Sequence, residues 1–79
     1  MREVLPLDKL DEGEKGKVVD IVGGKGFRMR LVQLGIIPGV EVKIAKSAVL
    51  GCPLMVEVNN ARIALGRGVA SRIWVEKIE

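Results

Sequence analysis

RLVQLGIIPGVEV, residues 30–42, is the stretch on which the fold turns. Leu31 and Leu34, with Phe27 one turn earlier, fall at i, i+4 and i+7, the spacing of one face of a helix. Gly35 suits the left-handed position just past a helix end. Ile37 is driven extended by the proline after it, and Pro38-Gly39 matches the two central positions of a type II turn. Val40, Val42 and Ile44 then alternate with Glu41, Lys43 and Ala45, the period of a half-buried strand. The segment therefore predicts a helix, a capped end, a tight turn and a strand in thirteen positions, with no group able to do acid–base work at neutral pH.

Upstream, Leu5, Leu7 and Leu10 form a short apolar opening, and Asp11-Glu12-Gly13 signals a turn. KVVDIV, Lys17 to Val22, is β-branched and reads as a strand. Val18 and Val22 share a face with Asp20, so the strand is either apolar on both faces or bulged. Gly23-Gly24-Lys25-Gly26 connects it to the helix. Downstream, Ser47 to Pro53 is a loop. Leu54, Val56 and Val58 alternate with Met55 and Glu57 as a further strand. Asn59-Asn60 tolerates the positive φ of a two-residue type I′ hairpin. That turn sets Val58 opposite Ala61, Val56 opposite Ile63 and Leu54 opposite Leu65; a one-residue slip would place Arg62 in the core. Gly66-Arg67-Gly68 is a turn, Val69 to Arg72 one helical turn, and Ile73-Trp74-Val75-Glu76 a last strand. About five short strands with one inserted helix are too few for a two-sheet sandwich. They predict a mainly β fold, a small closed or nearly closed barrel that hides strand edges and one apolar face together.

The chain has 79 residues, enough for a single domain, 1–79. A chain of this size buries only about 60% of its unfolded surface. One Phe, one Trp and no Tyr leave the core to aliphatic residues. The lone cysteine, Cys52, excludes an intrachain disulfide and points to a reducing, cytoplasmic compartment. The charged N-terminus carries no apolar run of a secretory signal, and no stretch approaches the ~20 apolar residues of a membrane span. The net charge of +3 permits weak contact with nucleic acid or anionic lipid without requiring either.

The absence of histidine removes the commonest general base and transition-metal ligand. One Cys without His builds neither a nucleophile pair nor a thiolate zinc site. Asp8, Asp11, Glu12 and Glu14 are the densest acids but lack ligand spacing, and Cys52 beside Pro53 reads as a loop residue. GGKG, 23–26, lacks the Ser or Thr that follows the lysine of a phosphate loop. Lys25, Arg28 and Arg30 form a local basic cluster without the interleaved aromatics of single-strand binders. No catalytic, cofactor or metal-ligating set is visible, and an enzyme is not expected.

The strand KVVDIV, the segment RLVQLGIIPGVEV, LGCP, MVEV, ARIAL and the ending IWVE together resemble the FeoA family over nearly the whole chain. The resemblance implies an SH3-like barrel and a small non-enzymatic cytoplasmic accessory protein of bacterial ferrous-iron uptake. Its implied partner is FeoB, a membrane permease carrying a cytoplasmic GTPase domain. The same domain type forms the C-terminal part of iron- and manganese-dependent repressors; without a helix-turn-helix region here, the stand-alone form is expected. Many members carry LGDP where this chain has LGCP, which weakens a cation role for that loop. On this reading the helix–turn–strand unit is a docking element. Leu31 and Leu34 lie on its apolar side, Arg30 and Gln33 on its exposed side, and these are the candidate partner-binding residues. The alternative is a small basic nucleic-acid-binding barrel or a regulatory domain akin to those of the metal-dependent repressors.

Overall fold

In the computed structural model, which describes residues 3–49 and 52–78, six strands form one antiparallel sheet in the order β1-β6-β2-β3-β4-β5. The strands are β1 Val4–Pro6, β2 Lys15–Ile21, β3 Glu41–Lys46, β4 Leu54–Val58, β5 Ala61–Leu65 and β6 Ile73–Ile78. A 3₁₀ turn, Leu7–Lys9, follows β1; helix α1, Lys25–Gln33, lies between β2 and β3; and helix α2, Arg67–Ala70, lies between β5 and β6. The outer strands β1 and β5 are not paired with each other, so the SH3-like barrel is open between them. Leu50 and Gly51, in the loop expected over Ser47–Pro53, lie outside the described residues.

The segment 30–42 folds as its residue types dictate. The Ile36 amide donates to the Leu31 carbonyl at 2.9 Å and the Gly35 amide to that of Val32 at 2.9 Å, with Gly35 at φ 83°. That is the Schellman arrangement, and its accompanying apolar contact joins Leu31 and Ile36, both buried. Gly39 takes φ 96° and the Val40 amide donates to the Ile37 carbonyl, closing the type II turn. The Gly39 amide donates to the Val18 carbonyl at 2.7 Å and the Val18 amide to the Val40 carbonyl at 2.9 Å. These two bonds clamp the turn to β2 and thereby fix the exit end of α1 against the sheet.

The irregular face of β2 is a bulge. Its register against β6 shifts between Val18 and Asp20, so Gly16 and Val18 point inward before it and Ile21 after it. The hairpin β4–β5 has the expected pairing, Val58↔Ala61, Val56↔Ile63 and Leu54↔Leu65, with Asn59 and Asn60 at φ 51° and 66°. The core is aliphatic: Leu7, Ile36, Ile44, Leu54 and Ile73 are its largest fully buried side chains.

Three expectations need correction. The strand count is six rather than about five, because the short β1 pairs with β6 at the sheet edge, where Pro6 costs no ladder bond. The short C-terminal helix runs Arg67–Ala70, two residues earlier than expected, since Gly66 is its N-cap and Ser71 its C-cap. Leu34, expected with Leu31 on the apolar side of the helix, is not buried with it: it is the C-cap of α1, at ψ −2°, and remains 45% exposed.

Candidate functional site

Helix α1 carries two stripes. Phe27 and Leu31 face the sheet; Leu31 is buried and Phe27 packs partly buried against the core. Arg72, just before β6, places its guanidinium 5.2 Å from the centre of the Phe27 ring, tying the end of α2 to α1. The helix has no side-chain cap at its N-terminus, where Gly24 is the N-cap and its carbonyl accepts the Arg28 amide. Its position therefore rests on Leu31, Phe27 and the clamp of the Pro38-Gly39 turn on β2.

Between α1, the end of β5 and α2 lies a cleft of about 270 Å³. Phe27, Leu31, Leu34, Leu65 and Val69 line it, and Arg30 is its charged lining residue. Leu34, the αR C-cap, stays in line with Phe27 and Leu31 and lines the cleft beside them. An apolar recess with one cation is suited to an apolar side chain beside an acidic group; it holds no nucleophile or general base.

Of the sequence-predicted residues, Arg30 and Leu34 meet at this cleft and Leu31 supplies its buried floor. Gln33 is exposed on the last turn of α1 and is not among the cleft's lining. Leu65 and Val69 belong to the cleft but were not singled out in the sequence. Their signal was the GRG stretch, which ends β5 and, with Gly66 as N-cap, starts α2 beside the cleft. Neither aromatic ring is displayed as a stacking platform: Phe27 lies under Arg72 and Trp74 is half-buried in β6.

The acidic opening is used structurally. Glu14 accepts from the Asp11 amide at 2.7 Å and pairs with the Lys77 ammonium at 2.6 Å. The Lys77 hydrogen bond, then that amide, hold the Glu14 carboxyl below its ordinary range. Glu12 accepts from the Ser47 amide at 3.2 Å. Among the described residues, no three Cys, Asp or Glu side chains gather into a group able to hold a metal ion. Cys52 is an exposed free thiol whose amide donates to the Val49 carbonyl at 2.8 Å. No helix of the described residues is long and apolar enough to cross a membrane.

A family model described as the FeoA domain matches residues 5–77. The chain is 36% identical over 74 residues to a Methanocaldococcus jannaschii protein that carries the provisional name Fe(2+) transport protein A, covering 94% of this chain and 88% of that one. The crystal structure of an iron uptake regulatory protein, FeoA, superposes with a TM-score of 0.88 at 37% identity, over 96% of this chain and 99% of that one. A manganese-dependent transcriptional repressor matches with a TM-score of 0.88 at 19% identity, over 99% of this chain but 44% of its own; that likeness is one of fold.

Proposed function

Because this chain belongs to the FeoA domain family, we propose that it is a non-catalytic accessory module of ferrous-iron transport that docks on an FeoB-type permease at its cytoplasmic face. The observation that carries the reading is the cleft between α1, β5 and α2. It presents Leu34 and Arg30 at an open apolar recess on an otherwise well-packed small domain. An apolar side chain of the permease fills the recess, and an acidic group beside it pairs with Arg30. Burial of one such side chain contributes about 1.5–3 kcal/mol, and an opposed charge raises the association rate more than the affinity. Gln33, on the same exposed turn, lies at the margin of that contact. Iron passes through the partner; among the described residues this module gathers no ligand set for a metal.

The test is a pull-down of the permease from membranes of cells that express it, using wild type and an Arg30→Glu, Gln33→Glu double variant. Wild type is expected to capture the permease, and the double variant to lose it while melting like wild type. Full-strength capture by a folded double variant would place the docking surface elsewhere, and the loop Ser47–Pro53 would be examined next.

A further inference from the structure

The second stripe of α1 plays no part in the cleft. Lys25, Arg28, Met29 and Val32 stand at i, i+3, i+4 and i+7, one face of the helix, and together line an open, shallow surface. Met29 is 50% and Val32 49% exposed, with Val22 at 53% just before the helix. Both apolar side chains are thus displayed to solvent between two cations. The charge around them is one-sided. Residues 21–40 and 59–75 contain no Asp or Glu, yet hold Lys25, Arg28, Arg30, Arg62, Arg67 and Arg72. The remainder of the chain is left net acidic, because it carries all 10 acids and only 7 of the 13 cations. Arg62 is paired with Glu57 at 3.2 Å, so the cations without an acid in their own segment are those on and beside the two helices, Lys25, Arg28, Arg30, Arg67 and Arg72.

We propose that this outer stripe of α1 is a docking surface for an anionic lipid bilayer. Lys25 and Arg28 reach the phosphates of the headgroups, and Met29 and Val32 enter the boundary between headgroup and acyl chain. A convex helix face that mixes cations with exposed apolar side chains matches such a plane, whereas a groove-binding partner needs the concave side. The long stems of Lys25 and Arg28 let their charges stay in the headgroup layer while the apolar pair sits deeper. Two half-exposed apolar side chains give a weak, reversible anchor, so the contact depends on charge and on salt. The proposal does not rest on permease docking; it concerns the opposite stripe of the helix.

The test is co-sedimentation of the whole chain with vesicles of phosphatidylcholine, with and without roughly one-third phosphatidylglycerol. Wild type is expected to bind only the anionic vesicles and to be released by high salt. Each cation near such a surface is worth about fivefold in partitioning, so a Lys25→Glu, Arg28→Glu variant should lose about a hundredfold or more. A Met29→Ser, Val32→Ser variant should lose several-fold. A control with the same charge change on the sheet, Lys17→Glu and Lys46→Glu, should lose less than about tenfold, since those charges lie beyond the screened contact. All substitutions are at exposed positions, and melts confirm that each variant is folded. The proposal is overturned if wild type ignores anionic vesicles at low salt, or if the sheet control is as damaging as the helix reversal. Self-association through Met29 and Val32 without vesicle binding would overturn it as well, and assign the stripe to a second copy.

Discussion

Replacing Gly16 with Ala should destabilise the domain by steric conflict at the middle of the sheet. A Cβ at this position would lie 2.7 Å from Val75 Cγ2, 2.8 Å from Val75 Cβ and 3.2 Å from Leu10 Cδ1. Comfortable carbon contacts need about 3.5–4.0 Å, so roughly an ångström must be found. Val75 cannot supply it by rotation. Its Cβ is fixed to the backbone of β6, its χ1 is restricted by branching, and the side chain is fully buried. Overpacking of this kind costs about 1–3 kcal/mol. Against it stands the gain from a less flexible unfolded chain, about 0.4–1 kcal/mol. The mid-range net loss of about 1.3 kcal/mol lowers the melting temperature by about 5–10 °C in a domain of this size. Far-ultraviolet circular dichroism during heating, with a urea titration at fixed temperature, reads the effect. Val75→Gly alone should also destabilise, but in the double variant both the Cβ and the Cγ2 that the new methyl would strike are gone. The two effects should then fall short of additivity by about 1 kcal/mol or more. A Gly16→Ala protein as stable as wild type, or a strictly additive double variant, would refute the packing argument.

Asn60→Val should cost about 1 kcal/mol or more, because a branched side chain resists the φ of 66° at the hairpin turn; the urea midpoint measures it. Leu31→Ala removes the buried anchor of α1 and should cost about 2–5 kcal/mol by the same assay. The paired exposed changes Arg30→Glu and Gln33→Glu should shift stability by no more than about 0.5 kcal/mol, as a thermal melt will show. Glu14, its carboxyl lowered by the Lys77 hydrogen bond, contributes stability that is present above its ordinary value of 4.5 and is lost as pH falls through its lower folded value. Glu14→Gln should therefore flatten the acid limb of the stability–pH curve while leaving its slope near neutrality unchanged.

The parts of the fold that local chemistry dictates were legible before the structure. Gly35 and Gly39 occupy backbone conformations that ordinary residues avoid, so RLVQLGIIPGVEV announces its own helix end and turn. The hairpin register followed from Asn59-Asn60 together with the cost of burying Arg62. The bulge in β2 was visible as a break in alternation around Asp20. What the sequence hid depends on tertiary position. Strand β1 is three residues long and contains Pro6; it is a strand only because β6 is there to pair with it. Leu34 has perfect helical spacing from Phe27 and shares its side of the helix, but spacing does not say that the cleft there stays open and leaves it 45% exposed. The cleft draws Leu65 and Val69 from a distant part of the chain, so no local pattern reveals it. Met29 and Val32 likewise look like ordinary helix residues until burial shows that nothing covers them.

The central claim, that the α1 cleft is where this module meets the permease, is tested most directly by site-specific crosslinking in cells that express both proteins. A photo-activatable residue replaces Leu34 at the cleft in one sample and Glu57, which lies on β4, in another. The account predicts an adduct with the permease from position 34 and none from position 57. An adduct from position 57 alone, or none from either while the two proteins still co-purify, would contradict it.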